Sequence, residues 1–307
     1  MGRVPAWVLA MLMIGAAQAQ DHGALQEKAS RTSAKTPVNL VLRTAASSKA
    51  DVDGPQLKSA AALVLDSESG AELYAKNSTE VMPIASITKL MTAMVVLDAR
   101  LPLDELIAID AADVDTLKHS GSRLRVGTVL PRRELLRLAL MASENRAAAA
   151  LARTYPGGTR AFVRTMNVKA KLIGMAHTEF VEPTGLDSRN VSTARDLAKL
   201  VEAAAGYDLI RQFTTTPQAR IKIPGTQRTM AFSNSNRLVA HKDWEIDVSK
   251  TGFIREAGRC LVMQARVAGR RVIIVLLDSW GKLTRIGDAN RIKRWMESSS
   301  RALAVSG

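Results

Sequence analysis

A single cysteine, Cys260, stands in a chain of 307 residues. No intrachain disulfide can form, so the fold has to rest on its core even if the chain is exported. Aromatic residues amount to 4%, and no basic stripe interleaved with aromatics occurs. The chain therefore carries no nucleic-acid-binding signature. Acidic side chains are few, 29 against 43 Lys and Arg, for a formal charge of +14. The excess is dispersed, which suits polyanionic surroundings such as a wall polymer without defining a site. The histidines, His22, His119, His177 and His241, are scattered and no H-E-x-x-H is present, which argues against a zinc hydrolase of that type. A G-x-S-x-G elbow is missing too. So is an apolar run of the roughly twenty residues that a membrane span needs.

The nearest approach to such a run is at the N-terminus. Arg3 gives a short positive start, Trp7 to Ala17 is largely apolar, and Ala17-Gln18-Ala19 has the small-x-small cleavage pattern. Residues 1–19 thus read as a secretory signal peptide, with an uncleaved anchor as the alternative. Residues 20–57 are rich in Ser, Thr, Lys and Ala and read as a flexible lead-in. From 58 to 300 the composition suits one packed domain, and apolar residues are 47% of the whole chain. No internal repeat is visible.

Within that domain, Ala61–Asp66 and Glu72–Ala75 flank Ser67-Glu68-Ser69-Gly70 and predict a β-hairpin. Ile87, Leu90, Met91 and Met94 recur at helical spacing and predict a core helix ending near Asp98. Leu106–Ile109 reads as a short strand. Pro131 opens a helix whose core side is Leu135, Leu136, Leu138, Ala139 and Leu140. A second helix runs to Tyr155, and Gly157-Gly158 breaks it. A third spans 161–173 and is closed by Gly174. Thr193 and Asp196 resemble a capping box for a helix over 194–204. Strands are predicted leading into Lys250, at 260–267 and at 271–277, the last apolar throughout and so expected at the sheet centre. A helix over 288–297 closes the chain. Strands at both ends around a helical block predict an α+β fold with one antiparallel sheet.

Chemistry concentrates in three short motifs. Ser86-Ile87-Thr88-Lys89 puts a hydroxyl and an amine three apart at a helix start, on one side of the helix and near the positive end of its dipole. That is a plausible nucleophile–base pair, although a serine cap with a lysine beyond it is also ordinary. Ser143-Glu144-Asn145 falls at a helix-to-helix turn, where both polar residues could serve as caps. Lys250-Thr251-Gly252 ends a strand. In this order, S-x-x-K, S-D-N and K-T-G form the signature set of class A β-lactamases and penicillin-binding proteins, with Glu144 here in the place of the middle aspartate. Cys260 sits mid-strand and reads as a small buried hydrophobe.

On these motifs, and on Ile87–Asp98, Glu144–Ala149, Tyr155-Pro156-Gly157-Gly158 and Phe180–Leu186, the chain over roughly 59–297 resembles the low-molecular-mass penicillin-binding proteins, the D-alanyl-D-alanine carboxypeptidase and endopeptidase family. Family carboxypeptidases usually carry a second β-rich domain and a C-terminal anchor. The chain continues from Gly252 only to residue 307, so the endopeptidase branch is expected. The resemblance implies a transpeptidase-like α+β fold, a periplasmic location and no membrane anchor once the signal is cleaved. It implies cross-linked peptidoglycan as substrate, β-lactam antibiotics as covalent inhibitors, and no metal or cofactor. Ser86 is the implied nucleophile, Lys89 its base and Ser143 a proton relay. Asn145, Lys250 and Thr251 would bind substrate, and the amides of Ser86 and Phe253 would form an oxyanion hole. Gly252 would let a substrate strand approach the sheet edge. Burial and Lys250 are both expected to depress the Lys89 pKa, with Lys250 itself staying charged. Glu182, in Glu182-Pro183-Thr184-Gly185-Leu186, faintly resembles a deacylating glutamate but is expected to be structural. The competing readings are a D-alanyl-D-alanine carboxypeptidase, a class A-like β-lactamase and a non-catalytic wall-binding protein.

Overall fold

The computed structural model describes residues 54–305 apart from residue 228. The signal peptide expected at 1–19 and most of the lead-in at 20–57 lie outside the described residues. β1 (Ser59–Asp66) and β2 (Glu72–Lys76) form the expected hairpin, its turn tied by the Asp66 carboxylate, which accepts from the amides of Glu68 and Ser69. β3 (Met82–Pro83) leads through a 3-10 turn, Ala85–Ile87, into α1 (Thr88–Asp98). β4 (Leu106–Ala108) pairs with β5 (Val129–Pro131). Three helices follow: α2 (Arg132–Met141), α3 (Asn145–Arg153) and α4 (Gly158–Leu172). β6 (Val191–Ser192) pairs back to β3, and α5 (Ala194–Ala205) and α6 (Asp208–Thr214) precede the hairpin β7 (Gln218–Lys222) and β8 (Thr229–Ser233). The chain ends in β9 (Glu245–Ile254), β10 (Gly258–Val267), β11 (Arg270–Ser279) and α7 (Thr284–Val305).

The main sheet is antiparallel throughout, in the order β2-β1-β11-β10-β9. The apolar β11 is central, as its sequence predicts, and both its faces are covered. Along β11, Ile273, Val275 and Leu277 face the helical block, while Val272, Ile274 and Leu276 face α7 through Ala289, Ile292 and Met296. The period-two alternation of a strand puts successive residues into two separate cores. α7 is stapled on by Asp288, whose buried carboxylate accepts from the Ser59 amide at 2.8 Å and the Ser59 hydroxyl at 2.6 Å. That leaves β9 as the free edge of the sheet on the side of the lysine motif.

α1 differs from its expected form. It is buried on nearly every side from Thr88 to Val96, so it is the central post of the helical block rather than a one-faced helix. α4 and α7 both begin earlier than predicted, at Gly158 and Thr284, and α7 reaches Val305. Half of the expected capping box forms at α5: the Thr193 hydroxyl accepts from the Asp196 amide at 3.1 Å, while the Asp196 carboxylate accepts from the His177 amide at 2.7 Å instead.

Candidate active site

Ser86 sits in the 3-10 turn rather than in α1 proper. In a 3-10 turn residues i and i+3 eclipse, which brings the Ser86 side chain over Lys89. The turn is entered through Ala85 in a left-handed conformation, φ +47°, and its carbonyl accepts from the Thr88 hydroxyl at 2.8 Å. Lys89 is fully buried, and its Nζ donates to Ser86 Oγ at 2.8 Å, Asn145 Oδ1 at 2.7 Å and the Thr184 carbonyl at 2.5 Å. Three acceptors match the three protons of an ammonium.

The second motif lies in the α2–α3 turn. Ser143 holds φ +60°, a left-handed value that the tight reversal between the helices imposes. Glu144 is the residue that caps α3, accepting from the Arg146 amide at 3.2 Å. Ser143 and Asn145 are therefore spared capping duty, and their side chains face the two lysines. Ser143 Oγ accepts from Lys250 Nζ at 2.8 Å. Asn145 was expected to reach a substrate amide. Its amide nitrogen donates to Ser120 Oγ at 2.9 Å.

The third motif lines β9. Lys250 also donates to the Thr251 carbonyl at 2.9 Å, and the Thr251 hydroxyl pairs with Ser235 at 2.7 Å. Gly252 has a structural reason to be bare besides the expected one. A Cβ there would come within 2.8 Å of the Ile84 carbonyl and 3.3 Å of the Ser86 nitrogen, so the glycine admits the nucleophile turn itself. This contact sets the Ser86 amide beside Gly252, one residue from Phe253.

Burial is the first cause of the lysine shifts. Taking an ammonium out of water lowers the Lys89 pKa to about 8, against an opposing pull from the carboxylates of Glu182, Glu144 and Asp115. Lys250 has no such anions. Burial, then the charge of Lys89, then Arg285 push it well below the ordinary lysine range. Burial depresses Lys89, and the charge of Lys89 in turn disfavours the charged form of Lys250. The carboxylates around Lys89 favour its charged form.

Sequence reading missed Ser120, Thr184, Ser235 and Arg285. Arg285 enters from α7 and donates through Nη1 to the Gly252 carbonyl at 3.0 Å and the Cys260 carbonyl at 3.4 Å. Thr184 acts through its carbonyl, which no side-chain pattern betrays. Glu182 is turned onto its own loop. Beside Asn145 and Thr184 a cavity of about 280 Å³ opens, lined also by Asp115, Ala149 and Leu186. No cluster of metal-binding side chains occurs among the described residues.

A family model described as D-alanyl-D-alanine carboxypeptidase matches residues 46–281. The chain is 50% identical over 243 residues to a D-alanyl-D-alanine endopeptidase of Pseudomonas aeruginosa, covering 79% of this chain and 78% of that one. It is 46% identical over 258 residues to a D-alanyl-D-alanine endopeptidase of Escherichia coli, covering 84% and 83%. Among solved structures, a Streptomyces DD-transpeptidase superposes with a TM-score of 0.74 at 32% identity, over 80% of this chain and 100% of that one. A D-alanyl-D-alanine carboxypeptidase of Mycobacterium tuberculosis gives 0.71 at 28% identity, over 80% and 94%.

Proposed function

The chain belongs to the D-alanyl-D-alanine carboxypeptidase family of serine peptidases, and from that premise we propose that it is an exported endopeptidase that hydrolyses D-alanyl cross-links of peptidoglycan through an acyl-enzyme on Ser86. The observation that carries this reading is the 2.8 Å contact between Lys89 Nζ and Ser86 Oγ, with the Lys250–Ser143 pair beside it.

The chemistry follows from the proton inventory. Lys89 serves as base only after it loses its proton. A substrate carboxylate arriving at Lys250 and Thr251 favours the charged form of Lys250, which takes up the proton that Lys89 gives up. Neutral Lys89 then takes the Ser86 proton as Oγ attacks the D-alanyl carbonyl carbon. The oxyanion is met by the amides of Ser86 and Phe253. Collapse breaks the C–N bond, and the leaving amine takes a proton through Lys89 and Ser143. Water afterwards hydrolyses the ester. Asn145, exchanging Ser120 for a substrate amide, holds the acyl chain. A β-lactam enters the same course and, with its amine still tethered, stays as a long-lived ester.

Residues 1–19 act as the export signal and 20–57 as a lead-in to the catalytic domain. No helix among the described residues is long and apolar enough to cross a membrane. The 50% and 46% relatives are both endopeptidases, which supports cross-link cleavage over terminal D-alanine removal. Incubating the purified protein with defined cross-linked and pentapeptide muropeptides tests this. Conversion of dimers to monomers is expected. Release of D-alanine from pentapeptides with dimers left intact would reassign it as a carboxypeptidase.

A further inference from the structure

Glu182 is the acidic residue that the reaction above leaves unused. Its carboxylate accepts from the Thr184 amide at 2.7 Å, the Thr184 hydroxyl, the Gly185 amide and Asn190 Nδ2 at 3.1 Å. Both oxygens are thereby saturated, and no lone pair is turned toward Ser86 to direct a water. The loop it gathers touches the candidate nucleophile twice. The Thr184 carbonyl accepts from Lys89 Nζ at 2.5 Å and from Ser86 Oγ at 3.4 Å. Gly185, at φ +81°, abuts the Ala85–Ser86 peptide so closely that a Cβ would stand 1.9 Å from the Ala85 carbonyl oxygen. The loop is also pinned to α1 and to the turn before it. Thr92 donates to the Pro183 carbonyl at 2.7 Å, Asn190 Nδ2 donates to Thr88 Oγ1 at 3.0 Å, and the Asn190 carbonyl accepts from the Ile84 amide at 3.1 Å.

We propose that Glu182 is a positioning residue for acylation: its carboxylate folds the Thr184–Gly185 turn that aims the Lys89 amine at Ser86 and props the nucleophile's backbone. This rests on the Ser86–Lys89 reading above. The same carboxylate has a second effect through charge. Lys89 is faced by Glu182 from this loop, Glu144 from the α2–α3 turn, Asp115 from the loop ahead of α2, and Lys250 from β9, with Arg285 behind Lys250. Among the carboxylates Glu182 exerts the largest pull toward the ammonium form. Removing its charge eases deprotonation of Lys89, so the acid limb of the rate profile moves to lower pH.

The test is the second-order rate of acylation by a fluorescent penicillin from pH 6 to 9, for the full chain and for Glu182→Gln and Glu182→Asp, with thermal melts to verify folding. The expected result for Glu182→Gln is a plateau lower by about 10- to 100-fold, the scale of a small misplacement of reacting groups, with the acid limb shifted downward in pH. Glu182→Asp keeps the charge and should keep the midpoint while losing part of the rate. Equal loss in both variants with an unmoved midpoint would reduce Glu182 to plain loop stability and overturn the proposal. Normal acylation by Glu182→Gln with a far longer-lived acyl-enzyme would make Glu182 a base for water and overturn it too. Absence of labelling in the unsubstituted protein would instead sink the Ser86–Lys89 reading, a distinguishable failure.

Discussion

Gly185 and Ala85 meet backbone to backbone: a Cβ on the glycine would lie 1.9 Å from the Ala85 carbonyl oxygen and 2.8 Å from the Ser86 nitrogen. No flexible side chain is there to give way. Both residues hold positive φ, +81° and +47°. The nucleophile turn is thus wedged between Gly185 on one side and Gly252 on the other, and its shape is imposed by tertiary contact.

Gly185→Ala should therefore harm function more than stability. The left-handed backbone costs about 1–3 kcal/mol for a residue with a side chain, and relief of the clash has to move Ala85 and Ser86. A modest drop in Tm with at least a 100-fold fall in penicillin acylation is expected, on the scale of a displaced reacting group. Thermal melts and acylation rates on one preparation check it. A rate near normal would mean that the turn tolerates displacement.

The two lysines should fail differently. Lys89→Arg cannot supply a neutral base, because a guanidinium does not deprotonate in proteins. Its acylation should fall by a factor on the order of 10²–10⁴. Lys250→Arg keeps a cation for the substrate carboxylate but replaces a compact ammonium with a planar fork, so partial activity is expected. In the unsubstituted protein the rate should climb with pH as Lys89 sheds its proton, with a midpoint near 8 before substrate perturbs it. The sign is fixed: the base is the neutral form, so activity is lost as pH falls below that value. Rates from pH 6 to 9 for all three proteins decide the matter, and near-normal acylation by folded Lys89→Arg would give the base role to another group.

The framework was legible in the sequence where local chemistry decides structure. The β1–β2 hairpin, the central β11 and the Thr193 cap of α5 follow from alternation, an unbroken apolar run and a hydroxyl ahead of an acidic residue. The order of the three motifs also placed Ser86, Lys89, Ser143 and Lys250 in one site, where they meet. What stayed hidden depends on distant partners. α6 is seven residues long with a threonine-rich exit, too short for a periodic signal. The positive φ of Ala85 and Ser143 contradicts local preference and is bought by packing. The electrostatic setting of the two lysines stayed hidden too, because the carboxylates lie around Lys89, brought from three separate loops. Arg285 arrives from α7, with no motif to announce it.

A staple remote from the chemistry offers a control. The buried Asp288 carboxylate accepts from the Ser59 amide and hydroxyl and from the Lys58 amide, and pairs with Arg291. Asp288→Ala removes the acceptor of the buried Ser59 amide and leaves the Ser59 hydroxyl with Ser279 alone, and about 2 kcal/mol of stability should be lost. Urea unfolding measures it. The folded fraction should still acylate at an ordinary rate; a site-specific rate defect without loss of stability would contradict the assignment of Asp288 to the α7 staple.

The central claim is that Ser86 carries the acyl group. The direct measurement is to label the mature protein with a penicillin, digest it and locate the added mass, in parallel with Ser86→Ala. The account predicts the adduct on Ser86 and no label in the variant, whose melting behaviour should be unchanged. A label that persists in folded Ser86→Ala, or that maps to another residue of the native protein, would contradict it.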